Sequence, residues 1–405
     1  MKPIPLIEPI KSHSPWYLVY NWPLFNLGFR ALFLIASLWA CLGMGLWYCI
    51  LNGLQPWQSQ FPATLWHAHE MIFAFAATVA VGFLFTASQN WTGQQTLHGF
   101  PLLLMTLVWI ATRLLIVTNA QSLIVAFIGQ SMFWLIAISH LSYILLSSHS
   151  KNNYVFIYIL GALCVANLTF IGLLLLNANQ IAVVFTHIAL LIFTLLIAVI
   201  GGRVIPFFTA RGLQLDSQVR SPQLDKWLIR LSTIGIGSYA LQFAYPTTLI
   251  ASVALGLTAI LHVIRVVLWF NAKILQVPLL WSLHCAYCAT SFGLLWFALS
   301  LLIDVGNPKD ALHLITVGGI GLMILAMMAR VSLGHTARPL VTHWLTNLSF
   351  LLCLVAGITR AILPNFIAPH LAWQWSALLW VAAFFCFVLV YLPILTKPRI
   401  DGHGG

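Results

Sequence analysis

The sequence predicts an all-α, polytopic membrane protein with about twelve transmembrane helices. Three observations carry this reading. Hydrophobic residues make up 61% of the chain and charged residues only 6%, whereas a soluble domain has about a quarter charged. The apolar residues fall in long unbroken runs, not in the alternating segments of about 10 residues that build a membrane β-barrel. Each run approaches the roughly 20 residues that a helix needs to cross hydrocarbon. The net charge of +11 does not imply a nucleic-acid partner. The basic residues are scattered between apolar runs, as in membrane loops, so the lipid bilayer is the expected partner.

Residues 1–28 are expected to form a cytoplasmic N-terminal segment. They contain Lys2, Glu8 and Lys11 and lack an apolar core followed by a small-residue cleavage site, so no cleavable signal is expected. Spans are expected at 29–51, 66–88, 99–118, 121–147, 154–176, 180–200, 228–245, 248–270, 279–303, 310–330, 342–363 and 370–395. Pro, Gly, Asn and Gln mark the gaps, as at Gln55-Pro56-Trp57, Asn177-Ala178-Asn179-Gln180 and Asn307-Pro308. The membrane domain covers 29–397, and 398–405 form a short cytoplasmic tail. The longest polar gap, 201–227, is expected as a cytoplasmic loop between halves 29–200 and 228–397. The halves show no convincing repeat, so an inverted-repeat transporter is not claimed. Within that loop, Gly201, Gly202 and Pro206 are expected to stop the sixth span and turn the chain.

Orientation follows from the basic residues. With the N-terminus in the cytoplasm and twelve spans, all of the 18 Lys and Arg except Arg113, Lys309 and Arg360 fall on the inner side. Both termini are then cytoplasmic. Seven cysteines all lie in apolar runs, and an odd number so placed argues against a disulfide framework.

Histidines inside spans are the chief functional signal. An imidazole in hydrocarbon is costly without a partner, and imidazole suits haem iron and copper. The topology places His67, His69, His187 and His313 near the outer ends of their spans and His262 and His284 in the inner halves. His335 lies just beyond span ten, with Arg203, Arg265, Arg330 and Arg338 around the inner set. Two stacked metal centres, one per leaflet, would produce this pattern. At about 100° per residue, His67 and His69 point about 200° apart, so they are not expected to chelate one metal from a regular helix. Glu70 shares a face with His67 and is expected to orient that ring and to have a buried partner. Arg265 shares a face with His262, and a guanidinium so placed suits a haem propionate. Gly318-Gly319-Ile320-Gly321 reads equally as close helix packing or as a flat groove for a planar cofactor. Cys285-Ala-Tyr-Cys288 lacks the trailing His of a haem-attachment motif.

Several strings together resemble the NnrS family. They are His67-Ala-His-Glu-Met71, Gly82-Phe-Leu-Phe-Thr-Ala87, Asn90-Trp-Thr-Gly93 and Gly201-Gly-Arg-Val-Ile-Pro-Phe-Phe-Thr209 in the first half. In the second half they are Pro278-Leu-Leu-Trp-Ser-Leu-His284, Ala311-Leu-His-Leu-Ile-Thr-Val-Gly-Gly319 and Met328-Ala-Arg-Val-Ser-Leu-Gly-His-Thr336. The resemblance runs over essentially the whole chain. It implies a multi-pass protein of the bacterial inner membrane that contains haem and copper and is linked to nitric oxide resistance and denitrification. Carried over, it makes His67, His69, His187, His262, His284, His313 and His335 candidate metal ligands. Glu70, Arg203, Arg265, Arg330 and Arg338 are the candidate cofactor partners. One departure is that the loop before Pro278 reads Lys273-Ile-Leu-Gln-Val, where a further arginine is expected. The catalytic subunit of haem–copper oxidases is less similar, because its adjacent His-His pair and its paired haem ligands on one late span are missing here. Two mechanisms stay open, metal-centred turnover of nitric oxide and protective binding without turnover. The electron donor is not legible. A different class is a transporter for a metal, a haem or a small anion that uses the histidines as a relay.

Overall fold

The computed structural model describes residues 19, 22–118, 121–217, 219–303 and 305–402. Lys2, Glu8, Lys11, His13 and His403 lie outside the described residues. Among the described residues there are twelve long helices: α1 Gly28–Leu51, α2 Ala63–Thr92, α3 Gly99–Thr118, α4 Ser122–Ser147, α5 Val155–Leu175, α6 Asn179–Gly212, α7 Pro222–Leu241, α8 Thr248–Trp269, α9 Pro278–Ile303, α10 Pro308–His335, α11 Trp344–Ala361 and α12 Pro369–Thr396. No strand occurs among the described residues. Eleven of the helices are long and apolar enough to span a membrane. The exception is α7, whose first turns carry Asp225, Lys226 and Arg230.

Three helices, four apart in sequence, form the centre. In α2, α6 and α10, 83%, 67% and 83% of the most apolar stretch is buried, against 50% or less in the other candidate spans. These three touch one another, while the remaining helices pack around them in chain order and α12 closes against α1. The centre is therefore lined by the helices whose first turns carry His67, His69, His187 and His313. The beginning of α1 meets the end of α12, where Arg30 Nη1 donates to the carbonyls of Leu395 (3.2 Å) and Lys397 (2.8 Å). This places both ends of the described chain at one end of the bundle, called here the termini end.

Two boundaries differ from the sequence expectation. The sixth helix does not stop at Gly201 but runs on to Gly212 through Pro206. A proline inside a buried span is tolerated when neighbouring groups satisfy the backbone it frees. The glycines serve an approach, not a turn: a Cβ at Gly202 would lie 2.7 Å from Arg265 Nη2, and one at Gly201 3.0 Å from the Tyr287 ring. The seventh helix begins at Pro222, earlier than expected, because Ser221 caps it by accepting from the Leu224 N–H and proline suits the first helical position. The polar connection shrinks accordingly.

The glycine run of α10 resolves to packing. A Cβ at Gly357 of α11 would sit 2.6 Å from the Cα of Gly318, and Cβ atoms at Gly319 and Gly321 would meet Thr290 at 2.4 Å and Trp380 at 2.5 Å. Backbones in this contact leave no groove for a planar cofactor.

Candidate metal sites

Both central helices that bear far-end histidines change geometry just after them. In α2, regular helix ends at His69 and Glu70–Ala76 is π-helical. In α10, it ends at His313 and Leu314–Gly321 is π-helical. A π segment inserts extra residue per turn and is frequent at functional sites. Here it changes which side chains share a face. Glu70 does not orient His67. Instead His69 Nδ1 donates to Glu70 Oε1 at 2.7 Å, and the other carboxylate oxygen pairs with Arg113 Nε at 3.2 Å. Arg113, from α3, is the buried partner that Glu70 requires. All three side chains are within 2% of complete burial. Phe61, Phe73 and Phe170 surround the His69 ring, with centroids 5.3, 5.6 and 5.9 Å away, and its Nε2 has no partner.

His67 faces the other way, as the helical phase predicts. Its ring stacks on Trp47 at 4.6 Å, and its buried Nδ1 is unpartnered. It lies within electrostatic range of His313, as do His187 and Arg360. Residues from α2, α6, α10 and α11 thus converge at the far end. His187 Nδ1 bonds the Tyr239 hydroxyl of α7 at 2.8 Å. His313 Nδ1 donates to the Lys309 carbonyl at 2.7 Å. Arg360 is paired with Asp310 at 2.7 Å.

Toward the termini end, His262 Nδ1 and the Tyr287 hydroxyl are 2.6 Å apart. Arg265, on the same face of α8, donates from Nη1 to Tyr287 at 3.0 Å and to the Ala198 carbonyl at 2.7 Å. Its Nη2 donates to Asp225 of α7. One helix away along α9, His284 Nδ1 donates to the Leu280 carbonyl at 2.9 Å. His335 keeps different company, its ring against Phe29 at 5.7 Å and its carbonyl accepting from Arg399. The inner set is therefore not one cluster.

The nominated arginines divide. Arg265 has its Nη groups committed to protein partners, contrary to a free propionate clamp. Arg203 donates to Asn153 Oδ1 at 2.6 Å and the Asn152 carbonyl at 2.9 Å. Arg330 lies over the Phe208 ring at 3.8 Å. Arg338 retains a buried, unpartnered Nη1. Among the described residues no three His, Cys, Asp or Glu side chains stand ready around one metal position.

One pattern unites the imidazoles. In His69, His187, His262, His284 and His313, Nδ1 is hydrogen-bonded. In His69, His262 and His284, Nε2 is buried with no partner. For His69, His284 and His313 the carboxylate or carbonyl on Nδ1 forces that nitrogen to be the donor, which leaves Nε2 a bare lone pair. This is how a metal-ligating histidine is held from its second nitrogen. Two residues in this arrangement escaped the sequence reading, Tyr239 and Tyr287. Tyr287 had a faint signal, one helical turn beyond His284 within an apolar run. Tyr239 had none.

No curated protein matches the chain. The family model described as NnrS protein matches residues 23–399, nearly its whole length, and the chain belongs to the NnrS family.

Proposed function

We propose that this protein binds haem and copper through its intramembrane histidines and protects a bacterial inner membrane and its surroundings against nitric oxide. The observation that carries the reading is an imidazole state repeated in His69, His262 and His284: Nδ1 held by a protein oxygen, Nε2 buried and unpartnered. A buried nitrogen left without a partner costs on the order of 1–3 kcal/mol, which a bound metal would offset. The chemistry of the donor set suits these groups, since imidazole nitrogens ligate both haem iron and copper, although no three donors stand around one position in the described residues. His67, His187 and His313 at the far end would hold one centre. His262 and His284 would hold another toward the termini end, and His69 is a separate ligand oriented by Glu70. His335 and Arg338 lie where an anionic edge of a cofactor could be met.

A bound haem or Cu(I) would supply an open coordination position for nitric oxide. The chain's own residues do the rest. Glu70 and the two backbone carbonyls fix ring orientation and tautomer, and Tyr239 and Tyr287 fix ring orientation. The phenylalanines around His69 exclude water. Arg113 pairs with the far oxygen of the Glu70 carboxyl while the near one holds His69. Tyr239 and Tyr287 each hold an imidazole from another helix, and Glu70 holds that of its neighbour His69, which supports a fixed site over a transport relay for a metal, a haem or a small anion.

The test is addition of nitric oxide to the reduced, metal-loaded protein. A shift in its visible spectrum is expected, and loss of nitric oxide with formation of a reduced nitrogen gas would make it an oxidoreductase. A spectral shift without consumption would make it a protective binder. No spectral response and no consumption would refute the reading.

A further inference from the structure

A partly open cavity of about 70 Å3 lies between α1, α2, α6 and α10. Its wall exposes carbon and sulfur only. Ala76 and Ala80 of α2, Phe193 and Gly201 of α6, and Met323 and Met327 of α10 are typical of it. On α2, α6 and α10 the wall begins six or seven residues beyond His69, His187 and His313, which at 1.5 Å per residue is on the order of 10 Å. Its other end includes Gly201, whose backbone lies against the Tyr287 ring, the partner of His262. The cavity therefore lies at a depth between the far-end imidazoles and those nearer the termini.

We propose that this cavity is a holding chamber for a small uncharged diatomic gas, placed between the two imidazole layers. Size and chemistry select this occupant. A water needs about 10–15 Å3 of such space and 2–4 polar partners, whereas apolar cavities stay dry and take up xenon or benzene. The chamber has room for several diatomic molecules and no polar partner for water. It is too small for a porphyrin and no imidazole lines it, so it is not the cofactor's own pocket. A charged or strongly hydrogen-bonding solute would lose its hydration there without replacement. Small side chains at Ala76, Ala80 and Gly201 create the space, so its volume is set by three positions without a role in holding metal.

The inference rests on the nitric oxide reading for the identity of the gas, but the chamber can be tested apart from it. Crystals of the wild-type protein are pressurised with xenon, and the same is done for Ala80→Leu and, as an independent filling, Ala76→Leu. Melting temperature and bound iron and copper are checked for each. Xenon is expected in the wild-type cavity and absent from the filled variants. In these variants the association rate of nitric oxide should fall about tenfold or more, with metal content unchanged. Ordered water or an acyl chain in the wild-type cavity overturns the proposal. So does an unchanged association rate in a folded variant that excludes xenon. Xenon uptake by a protein that binds no metal would retain the gas chamber and sink the metal reading instead.

Discussion

Replacement of His313 by alanine is expected to strip metal from the far end of the bundle while the protein stays folded in the membrane. The ring is held from Nδ1 by the carbonyl of Lys309 and lies within electrostatic range of His67 and His187. Its removal deletes a ligand without leaving a buried charge, so the helices should remain packed. His187→Ala should act alike, and in both variants metal should be lost only from that end. His284→Ala should instead affect the site near Tyr287 and spare the far end. Tyr287→Phe, which keeps the ring and removes its hydroxyl, should weaken the metal held near His262 by about 10–100-fold, the usual effect of losing a partner that orients a ligand. Iron and copper per chain, measured on purified variants, check these expectations. Full metal retention in both His187→Ala and His313→Ala would remove the far-end site. Loss of both layers in His284→Ala would contradict two separate centres.

The second large effect concerns stability. Arg113→Met should destabilise the protein by about 3–5 kcal/mol, because it leaves the Glu70 carboxylate buried with no countercharge. The double variant Glu70→Gln with Arg113→Met should recover most of that loss, since two neutral groups of similar size avoid the desolvation cost. The pair is 3.2 Å apart and nearly fully buried. Melting in detergent, compared across the two single variants and the double, reads the coupling directly. An Arg113→Met protein that melts like the wild type would show that the pair has no structural role. Glu70→Gln alone has a separate readout, weaker metal binding at His69, because the amide no longer favours one tautomer.

Much of the fold was legible because hydropathy reports directly on the bilayer. Twelve spans were expected; twelve long helices are found among the described residues, eleven of them long and apolar enough to span, and the charged α7 start shows where polarity blurs a span. The missed features have local causes. Gly201, Gly202 and Pro206 read as a helix stop, but their purpose is set by Arg265 and Tyr287 on distant helices, which no local rule reveals. The exchange of His67 for His69 as the partner of Glu70 follows from a π segment, which has no sequence signature and alters facing by a fraction of a turn. Depth along each span put His67, His69, His187 and His313 in one layer, and it did not show that His69 turns away from the others toward Glu70 and Arg113. It could not group His262, His284 and His335, because residues of equal depth need not lie on facing helices. The need of Glu70 for a partner was legible from cost alone, and Arg113, at the same depth, met it.

The most direct measurement is the iron and copper content of detergent-purified wild-type protein, with its visible spectrum oxidised and dithionite-reduced. A Soret band with near-stoichiometric iron, together with bound copper, is the expected result. Neither metal, in protein from cells well supplied with both, would contradict the account. The unpartnered Nε2 atoms would then have to serve a transport relay or the packing of the bundle.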